Sequence, residues 1–187
     1  MPYLVGVDIG TSSAKAVVVA PEGAIAGVAS EEYTIEQPQP GWAEQNPDAW
    51  WQAAARVTRS VVGQAAVPPG SIAAVGLSGQ MHGLVLLGTD RRPVRPAIIW
   101  PDQRSASEVA RAAATVGLPR LGRLAGTRLA TGFAAASLLW LQAHEPDAVA
   151  AADCLLLPKD YVRLQLTGQV GTDPSDASGT LLFDVAK

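Results

Sequence analysis

The chain is 187 residues long, enough for one domain with a core of its own. Hydrophobic residues make up 48% of it and charged residues 17%, a balance that excludes an intrinsically disordered protein. The formal net charge is −3 and no basic run or stripe occurs, which argues against nucleic acid as the main partner.

Apolar stretches at 3–9, 14–20 and 24–35 predict three opening strands, the last two joined by the turn Pro21-Glu22-Gly23. The first junction reads Asp8-Ile9-Gly10-Thr11-Ser12-Ser13-Ala14-Lys15. A strand, a tight glycine turn with three hydroxyls and a second strand can present backbone N–H and side-chain O–H groups to a phosphate. Gly10 can supply the positive φ of a sharp turn and a close backbone approach. Asp8, at the mouth of the strand, suits a hydrated magnesium ion, which takes one or two carboxylates besides waters and phosphate oxygens. Lys15 adds positive charge nearby. The spacing is not that of a P-loop, and a plain β-hairpin with Gly and Ser in its turn accounts for the same residues without a ligand.

A Pro-rich loop at 37–42 leads to Asn46-Pro47-Asp48, which supplies an N-cap, a first-turn proline and an acidic residue at the positive end of a helix. That helix is expected to reach about residue 66, stopped by Pro68-Pro69-Gly70, with Trp50 and Trp51 as core and surface packing. Residues 72–77, 84–87 and 97–100 read as short strands, and 104–116 as a helix closed by Gly117 and Pro119. Beyond lie helices at 131–143 and 159–166, the second ended by Gly168. Hairpin-joined strands followed by strand–helix units predict a single α/β domain over 1–187, a mixed central sheet flanked by helices.

Polar residues at strand ends and on glycine-flanked loops are the natural carriers of chemistry. In Ser78-Gly79-Gln80-Met81-His82-Gly83 two glycines bracket an amide, a thioether and an imidazole, so the backbone can approach a small polyol while His82 bonds a hydroxyl. An ordinary loop histidine is the alternative, and with two histidines in the chain a metal site there is not expected. In Trp100-Pro101-Asp102-Gln103-Arg104 the indole can face the C–H side of a sugar while Asp102 or Arg104 takes hydroxyls or a phosphate. Trp100 in the core and Asp102 capping the next helix explain the residues equally well. The polar stretch 172–180 is better read as loop and helix cap than as a pair of catalytic carboxylates.

These motifs, with Gly41-Trp42-Ala43-Glu44-Gln45-Asn46-Pro47, Leu157-Pro158-Lys159-Asp160-Tyr161 and Thr172-Asp173 through Leu182-Phe183-Asp184, occur in an order that resembles the N-terminal half of the FGGY carbohydrate kinases, of the type that phosphorylates xylulose. The resemblance covers essentially the whole chain. It implies the ribonuclease-H-like fold of the actin, Hsp70 and sugar kinase superfamily, and ATP-dependent phosphorylation of D-xylulose to D-xylulose 5-phosphate with ATP and magnesium as cofactors. It assigns Asp8 to magnesium and phosphate handling, Gly10, Thr11, Ser12, Ser13 and Lys15 to phosphate, and Met81, His82, Trp100, Asp102 and Arg104 to the sugar. The Met81-His82 pair is what points to xylulose, since glycerol kinases carry a charged pair there. Ala136-Ser137 replace a frequent Pro-Lys. The catalytic Asp of the family falls in a Gly-rich motif with no counterpart in the chain, so the chain is expected to be inactive alone. A kinase for ribulose, gluconate or glycerol, or a sugar-binding module without catalysis, stays open, as does a homodimer. A sugar-responsive repressor is disfavoured, because no helix-turn-helix precedes the first strand.

The single Cys154 rules out an intramolecular disulfide and suits a reducing cytoplasm. The first twenty residues lack a basic start and carry Asp8, unlike a signal peptide, and the longest apolar run, 131–143, is too short to span a bilayer. A cytoplasmic protein without membrane contact is therefore expected.

Overall fold

Alternation along the first strand decides the architecture. In the computed structural model, whose described residues are 2–184, β1 (Tyr3–Ile9) buries Val5, Val7 and Ile9, and Leu4, Gly6 and Asp8 face the other way. β2 (Ser13–Val19) buries Ala14, Ala16 and Val18 on the same face, and β3 (Ile25–Glu32) completes an antiparallel meander. After the two-residue β4 (Glu44–Gln45), α1 (Pro47–Gln64) crosses this inner face and returns the chain as β5 (Ile72–Gly79), parallel to β1. The order β3-β2-β1-β5 is the expected mixed sheet. Asn46 caps α1 as predicted, its side chain accepting from the Asp48 N–H at 2.9 Å. Trp50, Ala53, Ala54, Val57 and Val61 then form the core with the inner face.

The middle of the chain departs from expectation. β6 (Val85–Leu87) and β7 (Ala97–Ile98) do not join the central sheet: β7 pairs with β4, and β6 pairs with a later strand at Cys154–Leu156. α2 (Ala106–Val116) does end at Gly117, yet Pro119 does not stop the chain. It opens a further helix, α3 (Leu118–Ala125), because a proline costs nothing in a first turn, where no intrahelical N–H bond is lost. α4 (Ala134–His144), α5 (Pro146–Ala151), β8 (Cys154–Leu156), α6 (Pro158–Thr167) and the four-residue α7 (Pro174–Ala177) complete the chain. Leu84, Leu86, Ile98, Ala134, Trp140 and Leu141 form a second core that carries the loops after β5 and β7. Among the described residues no helix is long and apolar enough to cross a membrane.

Candidate functional site

The outer face of the sheet carries Asp8 and Lys15, which flank the first turn. Asp8 stands in register with Lys15 on β2 and Ser78 on β5, so the three share that face. Beside them Gly6 and Gly76 are also paired, and two adjacent positions without side chains leave a trough of about 370 Å3 bordered by Asp8, Lys15, Val17 and Ser78.

The turn itself is held from below. Gly10 does not adopt a positive φ, contrary to one reason given for it above; its N–H donates to the Ser13 carbonyl at 3.0 Å, and a Cβ would lie 2.9 Å from that oxygen. Close approach, not handedness, is what requires glycine there. The Tyr33 hydroxyl donates to the Gly10 carbonyl, and the Tyr33 N–H to the Ser12 carbonyl at 3.0 Å. Burial, and secondarily the Asp8 carboxylate, push the Tyr33 phenol well above its ordinary pKa, so it stays a donor. Ser12 and Lys15 are exposed, and Thr11 and Ser13 half-buried, so the hydroxyls and Lys15 remain available.

Gln45, fully buried, joins this turn to the loop after β5. Its Nε2 donates to the carbonyls of Thr11 (2.8 Å) and Thr34 (3.1 Å), and its Oε1 accepts from Trp50 Nε1 (3.0 Å) and Gln80 Nε2 (2.9 Å). The Gln80 N–H in turn donates to the Ile9 carbonyl at 2.7 Å. Sequence reasoning passed over Gln45, because nothing local distinguishes a buried four-way hub from any other glutamine.

The loop continues into Met81, exposed, and His82, half-buried at φ 67. The imidazole stacks on Phe133, with centroids 3.9 Å apart and planes at 13°. Burial lowers its pKa against smaller upward contributions from the Gly179 backbone and Asp176, so the ring is predominantly neutral at pH 7 and can both donate and accept. Phe133 is placed by Gly132, at φ 77, whose Cβ position would lie 1.9 Å from the Trp100 carbonyl oxygen; only glycine lets the two loops touch this closely. Thr131 adds a hydrogen bond to Gln103 at 2.7 Å.

Trp100 is half-exposed, not in the core, and its indole N–H donates to Thr11 Oγ1 at 2.8 Å. Asp102 does not cap α2, whose N-cap is Ser105. Its carboxylate accepts from the Ala43 N–H at 2.7 Å and is paired with Arg104, whose guanidinium also contacts Glu44 at 2.7 Å and lies 3.7 Å from the Trp42 ring centroid. With Asp102 and the Arg104 side chain each 1% exposed, this pair is turned away from solvent, against Trp42 and Glu44.

A cavity of about 360 Å3 opens beside Met81, between Ser78, Gly79, Lys159, Asp173 and Asp176. Lys159 contacts Asp160 at 2.6 Å, Asp173 at 2.7 Å and Asp176 at 3.1 Å. Burial alone would push the Lys159 pKa down, but hydrogen bonds to Asp160 and Asp173 and the charge of Asp160 outweigh it, and the ammonium is held firmly protonated. Asp173 is the N-cap of α7, in line with the cap expected for this stretch.

Residues 3–187 match the N-terminal domain of the FGGY family of carbohydrate kinases. The chain belongs to this family. It is 41% identical over 183 residues to a xylulose kinase of Escherichia coli (strain K12), covering 98% of this chain and 37% of that relative. A solved xyloylose kinase from Brucella ovis superposes with a TM-score of 0.92 at 37% identity, over 97% of this chain and 37% of the other. A gluconate kinase from Lactobacillus acidophilus superposes equally well, TM-score 0.92, at 28% identity, over 98% of this chain and 37% of the other. The fold is thus that of the sugar kinases of the actin and Hsp70 superfamily, and the chain spans a little over a third of the length of these relatives.

Within a carbohydrate kinase domain of this kind the structure brings two groups of residues together. Asp8, Lys15 and Ser78 border the trough on the sheet, and in the turn between β1 and β2 Thr11 accepts from Trp100. Met81 and His82 lie one strand over, joined to the first group through Gln80 and Gln45. Asp102 and Arg104 do not face either opening directly. Among the described residues no three His, Cys, Asp or Glu side chains could cage a metal ion; the lone Asp8 carboxylate bordering the trough could contribute one ligand to a magnesium ion held otherwise by water and phosphate.

Proposed function

We propose that this chain supplies the sugar-binding and phosphate-hairpin half of an enzyme that transfers the γ-phosphoryl group of ATP to D-xylulose, giving D-xylulose 5-phosphate. The observation that carries the reading is the 2.8 Å hydrogen bond from Trp100 to Thr11, which ties the aromatic surface suited to a sugar to the hydroxyl turn suited to a phosphate. The xylulose kinase of Escherichia coli, 41% identical, supports the choice of sugar.

Phosphoryl transfer needs positioning and charge neutralisation more than covalent chemistry. Thr11, Ser12 and Ser13 would donate to γ-phosphate oxygens and Lys15 would add positive charge. Asp8 would hold magnesium through water; that ion, when bound, supplies the neutralisation of phosphate charge. His82 would hydrogen-bond a ketose hydroxyl with Met81 beside it, and Trp100 would cover the C–H face, with Asp102 and Arg104 fixing its loop. The carboxylate that accepts the hydroxyl proton would come from outside this chain. A reducing cytoplasm suits both the use of ATP and the free Cys154.

The competing substrate is D-gluconate, because the gluconate kinase superposes as closely as the Brucella protein. A coupled ADP-release assay on D-xylulose, D-ribulose, D-gluconate and glycerol, run on this chain and on the longer polypeptide that the reading requires, tests the proposal. The longer protein should prefer D-xylulose and the 187-residue chain should show no turnover. Turnover by the purified chain, abolished by Asp8→Ala, would overturn the assignment of the proton acceptor.

A further inference from the structure

Lys159, only 12% exposed, satisfies three carboxylates at once, which is more than a lysine in the first turn of a ten-residue helix needs. Asp160 is its neighbour on α6, but Asp173 and Asp176 are the N-cap and third residue of α7. With four residues α7 cannot hold itself together, so it stays in place through what it is tied to. Directly after it the chain makes a tight turn at Ser178–Thr180 that sets Gly179 against the His82 imidazole: a Cβ on Gly179 would lie 3.0 Å from Cε1 and 3.4 Å from Nδ1. The face of the same ring stacks on Phe133. His82 keeps a left-handed backbone at φ 67, which a non-glycine residue retains only when its surroundings impose it.

We infer that Lys159 is a positioning residue for His82: by gripping Asp173 and Asp176 it holds the α7 turn against the imidazole edge, so that the ring stays between Gly179 and Phe133. The inference rests on the reading of His82 as a sugar ligand, and it assigns the 172–180 stretch a part in the sugar site without any direct contact with the sugar. The geometry also explains why the lysine is nearly buried. A solvated ammonium at the rim would pair loosely with one carboxylate, whereas an enclosed one fixes two separate points of α7. Asp176 is the charged group nearest the ring, with Asp173 and Lys159 behind it; Phe133 and Gly179 bring none.

The test is an NMR titration of the two histidines of this chain without sugar or nucleotide, His144 serving as internal control. In Lys159→Met the imidazole should leave its stack. Its ring protons, read at a pH where the imidazole is neutral, should lose the shift that Phe133 imposes, while the signals of His144 stay put; a rise in the His82 pKa with the ring shifts unchanged would report only the uncompensated carboxylates and would overturn the inference. Lys159→Arg should restore the ring shift. Asp173→Asn, which keeps a capping oxygen but loses the ion pair, should move His82 in the same direction by less, and it serves if the lysine variant does not fold. Unchanged His82 signals in a folded Lys159→Met or Asp173→Asn protein, even with a lower melting temperature, would reduce Lys159 to a structural lysine and overturn the inference. Because no sugar is present, these outcomes are independent of whether D-xylulose is the substrate.

Discussion

Replacing Gln45 by methionine should damage the domain out of proportion to the size of the change. Methionine fills nearly the same volume but leaves the Trp50 and Gln80 side-chain N–H groups, both buried, without their acceptor. Each buried donor left unpaired costs roughly 1–3 kcal/mol, so the expected loss is about 2–6 kcal/mol. The carbonyls of Thr11 and Thr34, only partly buried, can turn to water and add little. Against a typical total of ~5–15 kcal/mol this is a large fraction. For a domain of this length each kcal/mol lowers the melting temperature by about 2–4 °C. Urea unfolding of Gln45→Met beside Gln52→Met, an exposed position on α1, isolates the effect, since an exposed substitution stays within about 0.5 kcal/mol. A loss below about 0.5 kcal/mol for Gln45→Met, with an unchanged urea slope, would refute the reading of Gln45 as the hub that joins the Thr11 turn to the loop after β5.

Gly132→Ala should cost on the order of 2 kcal/mol or more in urea unfolding, since the residue sits at φ 77 and its Cβ position lies 1.9 Å from the Trp100 oxygen; a loss under about 0.5 kcal/mol would contradict that packing. In the longer enzyme Asp8→Ala should lower kcat by on the order of a hundredfold or more with the ketose KM nearly unchanged, because contacts to metal and phosphate matter most in the transition state. A loss confined to stability would make Asp8 a turn residue. The pH dependence follows from His82, whose folded pKa is lowered chiefly by burial. The unfolded chain therefore takes up its proton first, so the contribution of His82 to stability is present above about pH 6.5 and is lost as pH falls towards the lower folded value. His82→Gln should flatten stability across that window, and an unchanged slope between pH 7.5 and 5.5 would show that the ring is not buried.

The three opening strands and α1 were legible because alternation, turn residues and a capping Asn46 all act within a few residues of one another. The hairpin around Gly10 was legible for the same reason. β4 and β8 were not, because strands of two or three residues, here Glu44–Gln45 and Cys154–Leu156, exist only through partners far away in sequence; β6 and β7 were legible as strands at 84–87 and 97–100, but their pairing outside the central sheet was not. α3 was missed because Pro119 serves equally as a stop and as a first-turn residue, and the Gly117 before it does not say which. In the site, His82 and Trp100 stood out by residue type and flanking glycines. Gln45, Phe133 and Lys159 could not, since their importance lies in who meets whom: Phe133 reaches His82 only because Gly132 touches Trp100.

The proposed role of His82 in choosing the sugar is tested by a single variant. A ketose hydroxyl left unpaired in a partly desolvated pocket costs roughly 1–3 kcal/mol, which corresponds to about a five- to hundredfold loss of kcat/KM for D-xylulose in His82→Ala of the longer enzyme. Sugar-dependent turnover, sugar-free ATP hydrolysis and the melting temperature are to be measured on the same preparation. The account predicts that turnover with D-xylulose falls by that factor while sugar-free hydrolysis and melting are preserved, because the Thr11–Ser13 turn is untouched. Equal loss of both activities, or undiminished turnover with D-xylulose, would remove His82 from the substrate site and contradict the assignment of D-xylulose.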